Sequence, residues 1–380
     1  MQGAWIMQRI AGFGLVASLC LVGISAGNAQ AQEAFYQGKR IEVNINFSAG
    51  GGTDLQGRLA ARHIGRHIPG SPTVIVKNLP GAGGMKGANY VGAVATKDGT
   101  TVGYFAGVGA AAWMKPLKDP GLTFDPATLE TVATSTDDIV GIVRTDTPPG
   151  IKRPADIVKA KSVWAGGLRP NSSSDLRMTL ALDLLGVNYR YLTGFPGNSG
   201  ARKALMTNEV QFLAEGFPSF TAIIQKSLVR DGTVIPVVYW GDFQGDRIAP
   251  SELVRGAVPG LKTVSELYEE IHGKPPSGIM WKTFLELHGI ASTTQRWVVL
   301  PPGTPPKALS TLRAAFAGLN GDDVYKAEAQ KTLKFVPVYT IGDESEKLLK
   351  PLLKMSPDVE KFIKEYVRKL TVVKRKNPKK

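Results

Sequence analysis

Short apolar runs alternate with longer amphipathic stretches along most of this chain. Ile41–Phe47, Thr73–Val76, Thr101–Phe105, Ile139–Val143, Val163–Ala165, Tyr189–Leu192, Val210–Ala214, Ile235–Trp240 and Trp297–Leu300 are rich in β-branched and aromatic residues and read as strands. Between and after them, Leu55–Ile68, Met85–Ala95, Pro154–Ala160, Leu176–Leu185, Gly197–Thr207, Pro305–Leu319, Val324–Thr332, Glu344–Met355 and Asp358–Leu370 read as helices. Leu55, Leu59, Ile64 and Ile68 give the first helix one apolar stripe, and Pro69-Gly70 stops it. Strand–helix alternation of this kind predicts an α/β fold. No internal repeat indicates a solenoid.

The pattern differs at the two ends. Arg9, the apolar run from Ile10 to Ile24 and the small-x-small sequence Ala29-Gln30-Ala31 read as a secretory signal peptide over 1–31, cleaved to leave Gln32 first. The run is short for a membrane anchor. Cys20, the chain's one cysteine, lies inside it, so the mature protein has no thiol chemistry and suits a bacterial periplasm. At the other end, Arg368–Lys380 is a basic tail without an acid. Of the net charge of +14, about +6 remains on the body once Arg9 and the seven basic tail residues are set aside, which favours encounter with anionic ligands. Nucleic acid is a poor partner, because the chain is exported and aromatics do not interleave with its basic residues.

Candidate chemistry centres on two glycine-rich turns, each wedged between a strand and a helix. The first is Ser48-Ala49-Gly50-Gly51-Gly52-Thr53-Asp54; the second is Asn78-Leu79-Pro80-Gly81-Ala82-Gly83-Gly84. Glycines at the mouth of a helix bare backbone N–H groups, and the helix dipole adds positive potential, so the first turn suits a carboxylate. An ionised Asp54 would repel that carboxylate, so it is assigned a capping or water-holding role. The alternative is an ordinary tight turn. The second turn lacks the spacing and the ribose-binding acid of a dinucleotide loop, and neither turn is followed by Gly-Lys-Ser/Thr; the second is read as structural.

Further donors are available elsewhere. Gly107-Val108-Gly109 follows the Thr101–Phe105 strand. Ser172-Ser173-Ser174-Asp175 precedes a helix, with a solvated loop ending in an N-cap as the alternative. Thr193-Gly194 and Gly197-Asn198 are placed to close the same site from beneath. Arg169 offers a bidentate fork to a second carboxylate, or is a surface arginine. Glu215 accepts from a ligand hydroxyl or pairs with Arg169, or forms a structural ion pair. His63 and His67 are one turn apart, but Ile64 stands where a metalloprotease needs glutamate and Arg62 and Arg66 repel a cation, so no metal is assigned. There is no Gly-x-Ser-x-Gly elbow and no acid–base pair that demands catalysis.

Ile45-Asn46-Phe47-Ser48-Ala49-Gly50-Gly51-Gly52-Thr53-Asp54 with Arg58, then Val76–Gly84 with Gly87-Ala88, then Lys97-Asp98-Gly99-Thr100-Thr101, together resemble the tripartite tricarboxylate transporter receptors, the Bug family. The resemblance implies a type II periplasmic-binding-protein-like fold, with two lobes around a cleft and two hinge crossings near Thr136–Ile139 and Trp240–Gly245. It places one lobe at 32–137 and 241–380 and the other at 138–240. It also implies that Ser48–Asp54 and Gly166–Asp175 hold a small carboxylate, partly through waters. The expected protein is a monomeric periplasmic solute-binding protein that closes its lobes on a small organic carboxylate and delivers it to the membrane components of a tripartite transporter. It needs no cofactor and catalyses no reaction. An exported enzyme on the same scaffold and a ligand-presenting sensory receptor are the alternatives. The sequence departs from the common family pattern at Leu192–Asn198, and it has extra length near Pro275–His288.

Overall fold

A computed structural model describes residues 34–115, 121–370 and 372–374. The signal-peptide reading of 1–31, with Arg9 and Cys20, lies outside the described residues, as does the end of the basic tail. No helix among the described residues is long and apolar enough to cross a membrane.

The strands in chain order are β1 (Arg40–Ile45), β2 (Thr73–Asn78), β3 (Thr101–Phe105), β4 (Glu130–Ser135), β5 (Ile139–Arg144), β6 (Val163–Gly166), β7 (Tyr189–Thr193), β8 (Phe212–Gly216), β9 (Val234–Tyr239), β10 (Asp242–Phe243), β11 (Ile248–Ala249), β12 (Arg296–Leu300), β13 (Thr340–Ile341) and β14 (Val372–Lys374). They form two six-stranded sheets and one small hairpin. The first sheet runs β13-β4-β12-β3-β1-β2, and the second runs β14-β7-β6-β8-β5-β9. Each has a parallel set built from strand–helix units: β2-β1-β3 in the first, β7-β6-β8 in the second. Each parallel set is flanked by antiparallel partners, β12 against β3 and β5 against β8.

Burial explains the parallel strands. β3 is buried at every position, as a strand covered on both faces must be. Gly57 lets the Gly52–Ile64 helix lie close against β1, since a Cβ there would fall 2.8 Å from the Ile45 side chain. Leu59, Ala60 and Ile64 of that helix are buried, and Leu312, Phe316 and Leu319 belong to the same core.

The chain passes from one sheet to the other between β4 and β5 and again after β9. It makes a third passage at its end: the Pro357–Lys369 helix leads to β14, which pairs in parallel with β7. Val372–Lys374 therefore adds an edge strand to the second sheet. Two helices are also more broken than the sequence pattern suggests. Met85–Asn89 is α-helical and Tyr90–Val94 continues as a π-helix. Gly52–Ile64 gives way to a 3-10 turn at Gly65–His67 before Pro69.

Candidate functional site

Both parallel sets end their strands at one cleft, where ligands of open α/β sheets sit. β1 leaves through Asn46, Phe47 and Ser48 into the first glycine turn. Buried Asn46 ties this loop to the end of β3, donating to Ala106 O at 2.9 Å and accepting from Ala106 N at 3.1 Å. The helix begins at Gly52 with Gly51 as its N-cap, and no side chain caps it. Its first N–H groups have no intrahelical acceptor and stand at the cleft.

Asp54 closes the turn from below. One carboxylate oxygen accepts Gly50 N at 2.9 Å; the other accepts Arg58 Nε and Asn78 Nδ2, each at 2.8 Å. Its side chain is buried and does not line the cavity above it.

The opposite wall comes from β6 and β8. After Gly166 the chain turns at Gly167, where a Cβ would overlap the Asp175 carboxylate. Asp175 accepts Leu168 N at 2.5 Å, Arg169 N at 3.0 Å and the Tyr191 hydroxyl, so it fixes the loop from behind. Burial pushes its carboxyl up. Ser172 caps the Ser173–Leu185 helix by accepting Asp175 N at 3.2 Å. Asn198 donates to Ala214 O at 2.7 Å, which orients its amide at the cleft.

Between these walls lies a cavity of ≈ 70 Å³, lined by Ser48, Gly51, Gly52 and Thr53 on one side and Leu168, Ser174, Asn198, Ala214 and Gly216 on the other. A site needs roughly 10–15 Å³ on this scale to hold one water, so the space fits a few waters or a carboxylate. A second cavity of ≈ 50 Å³ adjoins it, lined by Gly83, Gly107, Arg169, Ser172, Ser173, Ser174 and Arg177. Phe47, Ala106, Ile139, Ser174 and Gln295 border both.

The sequence candidates thus divide. Ser48, Gly51, Gly52, Thr53 and Ser174 meet at the first cavity; Gly107, Arg169, Ser172 and Ser173 meet at the second. Ala49, Gly50, Asp54, Val108, Asp175, Thr193 and Gly194 line neither. Glu215 takes the structural ion pair that the sequence reading held as its alternative: it is fully buried, pairs with Arg202 at 3.1 Å and accepts Ser219 Oγ at 2.8 Å. The second glycine turn approaches the ligand space more closely than its structural reading implies, because Gly83 lines the second cavity. His63 and His67 bond Glu328 and Asp322 across to the neighbouring helices, each at 2.6 Å.

Sequence reading missed the most charged part of the site. Arg296 opens β12, is 1% exposed, and lines the first cavity. Its Nη2 pairs with Asp137 at 2.8 Å, and its Nη1 donates to Gln295 O at 2.6 Å. Its Nε is buried without a hydrogen-bond partner among the described residues. A Cβ on Gly52 would lie 3.2 Å from Nη2, so the glycine leaves that face of the guanidinium open. The available signal was an arginine heading an otherwise apolar strand.

Asp137 and Asp138 sit on the first passage between the sheets. Burial pushes Asp137 up to about 6, against the pull of Arg296, and Asp138 up to about 7. Asp138 accepts Ile139 N at 2.7 Å, Trp240 N at 3.2 Å and Gly241 N at 3.1 Å, binding the two passages to each other directly behind the cleft.

Solved structures with this architecture include the periplasmic binding protein BugD, at TM-score 0.61 and 22% identity, covering 88% of this chain and 99% of BugD. The fold is that of the Bug periplasmic binding proteins. This agrees with the resemblance read from the glycine motifs. A second solved structure, R. palustris Rpa4515 with adipate, matches at TM-score 0.61 and 18% identity, covering 88% of this chain and 99% of that one. In sequence, the chain is 28% identical over 320 residues to the "UPF0065 protein in gbd 5'region" of Cupriavidus necator, covering 82% of this chain and 84% of that protein. No family model matches.

Proposed function

We propose that this protein is a periplasmic solute-binding protein that captures a small organic carboxylate between two lobes and releases it unchanged to the membrane components of a tripartite transporter. The observation that carries this reading is the uncapped helix start at Gly51–Thr53. It faces Ser174 and Asn198 across a small cavity, with a buried guanidinium at its edge. Backbone N–H groups, the helix dipole and Arg296 together suit an anion. A relative of the same fold holds adipate. The lobes are taken to divide at the passages near 136–139 and 240–245, and the export signal to be cleaved after Ala31.

The test starts with protein purified from periplasmic extract. Its first residue should be at or near Gln32, and native mass spectrometry should show a bound carboxylic acid. A saturating carboxylate, at about one hundred times its dissociation constant, should stabilise the fold by about 2.7 kcal/mol. Chemical conversion of that ligand over repeated turnovers would overturn the binding reading.

A further inference from the structure

Arg296, Arg177, Asp137 and Asp138 form a buried charged cluster behind the cleft. Burial lowers Arg177 only to about 10, so it stays charged at neutral pH. It donates to neutral acceptors, Gln295 Oε1 at 3.2 Å and His288 Nδ1 at 3.4 Å. His288 adds no charge, because burial and Arg177 hold it down to about 3. With both aspartates ionised, the cluster is neutral before any ligand arrives. A carboxylate held beside Arg296 adds a negative charge, and an uncompensated buried charge is costly.

The two aspartates are held differently. Asp138 spends its oxygens on the Ile139, Trp240 and Gly241 N–H groups, and it is faced by Asp242 and Asp137. Asp137 touches the cation itself. Its Oδ2 accepts Arg296 Nη2 at 2.8 Å and Gln56 Nε2 at 2.9 Å. Its Oδ1 is buried and makes no hydrogen bond among the described residues. Arg177 and the Gln295 side chain also favour the Asp137 charge, and Asp138 opposes it. The Tyr104 and Tyr339 hydroxyls beyond Gln56 are kept neutral by burial.

We propose that Asp137 is a proton-accepting positioning residue: when a carboxylate binds at the open face of Arg296, Asp137 Oδ1 takes one proton from solvent, and ligand and proton leave together. This inference rests on the carboxylate-binding reading above. In the free protein burial has already raised this carboxyl to about 6. A second negative charge on the same cation raises it further, so above pH 6 the complex holds a proton that the free protein has lost. Affinity should rise as pH falls toward 6 and level off below it, where free and bound protein are both protonated.

The experiment titrates the protein with acetate, benzoate, malate, adipate and citrate, and follows those that bind from pH 8 to pH 6. Wild-type affinity should rise by about fivefold or more over this range, the change for a one-unit rise on binding. Calorimetry at pH 7 in phosphate and in Tris, which differ in ionisation heat, should show uptake of up to one proton. D137N keeps the shape and fixes the neutral state. Its affinity should be flat with pH, exceed the wild type's at pH 8 and carry no buffer-dependent heat. A merely structural role for Asp137 predicts weaker binding in D137N at every pH. Buffer-independent heat in the wild type needs no variant and overturns the proposal; so does proton uptake that persists in folded D137N, or weaker binding by D137N at pH 8. Each of these leaves the carboxylate reading intact. A wild type that binds none of the five acids defeats that reading, and this inference with it.

Discussion

At Gly52 one missing side chain has two consequences. It frees the helix start for an anion, and it leaves the Arg296 guanidinium open to the cavity. Alanine there would place its methyl 3.2 Å from Nη2 and 3.5 Å from Pro218 Cδ. Nη2 is anchored by Asp137 and has little room to retreat. Gly52→Ala should therefore weaken carboxylate affinity about tenfold or more while changing unliganded stability by no more than about 1 kcal/mol. Calorimetric titration beside a urea melt separates the two quantities, and an unchanged affinity would remove this turn from the site. Thr53 borders the same space, and Thr53→Val should cost about 1.5–3 kcal/mol of binding if its hydroxyl meets the ligand's charge. His288 makes a different residue-level prediction. Its ordinary value is 6.5 and the folded value about 3, so between them the unfolded chain binds a proton that the folded chain does not. Its contribution to stability is then present above pH 6.5 and is lost as pH falls toward 3, at up to about 1.4 kcal/mol per pH unit. Asp137 and Asp138 oppose it in part of this range, because their raised values make the folded chain the stronger proton binder. They are common to wild type and variant. The stability difference between wild type and H288Q, followed by urea unfolding from pH 4 to pH 6, should therefore rise with pH; a flat difference would mean that the imidazole already titrates normally.

Nine of the fourteen described strands were legible because burial writes apolar runs, with β3 buried at every position, whereas β4 is buried but built largely of Thr, Ala and Ser, and the sequence pattern did not mark it. The glycine turn at Ser48–Asp54 was legible because helix starts and tight turns have local chemistry. Arg296, Gln295 and Arg177 were not. They come from a strand start and a helix interior distant in sequence from the glycine turn, and only the folded topology assembles them. Glu215 shows the same limit in reverse: a carboxylate ending a strand near the cleft suggested a ligand contact, but Arg202, one element earlier, takes it. At the passage between the sheets, Asp138 holds two chain segments that are local to nothing but each other. Asp138→Ala removes the side-chain acceptor of the Ile139 and Gly241 N–H groups at once, whereas Trp240 N keeps Ile139 O at 3.1 Å. Each buried donor left unsatisfied costs about 1–3 kcal/mol, so the variant should lose about 2 kcal/mol or more in denaturant unfolding. Hydrogen exchange should quicken first at the Ile139 and Gly241 amides, and protection unchanged there would mean that another acceptor replaces the carboxylate.

At the scale of the whole molecule the two walls of the cleft touch. Ser48 Oγ, on the glycine turn, lies 3.0 Å from Ser199 Oγ at the start of the helix on the opposite wall. Gly197 permits the approach: its backbone is extended, so any residue fits its angles, but a Cβ would come within 2.5 Å of Ser48 Oγ. That contact joins the two walls of the cleft, which makes Gly197→Ala a probe of closure. The methyl should hold the walls apart while each half folds normally. A ligand shifts an open–closed equilibrium by no more than its differential affinity for the two forms, and a steric block on the closed form lowers that difference directly. In small-angle scattering, the wild type should compact on adding a bound carboxylate, whereas Gly197→Ala should compact less and bind more weakly by about tenfold or more. Its unliganded melt should stay close to the wild type's. Full compaction and full affinity in the variant would show that the walls need not meet at Ser48 for the ligand to be held, and would move the closing contact to the Gly52 and Pro218 side of the cleft.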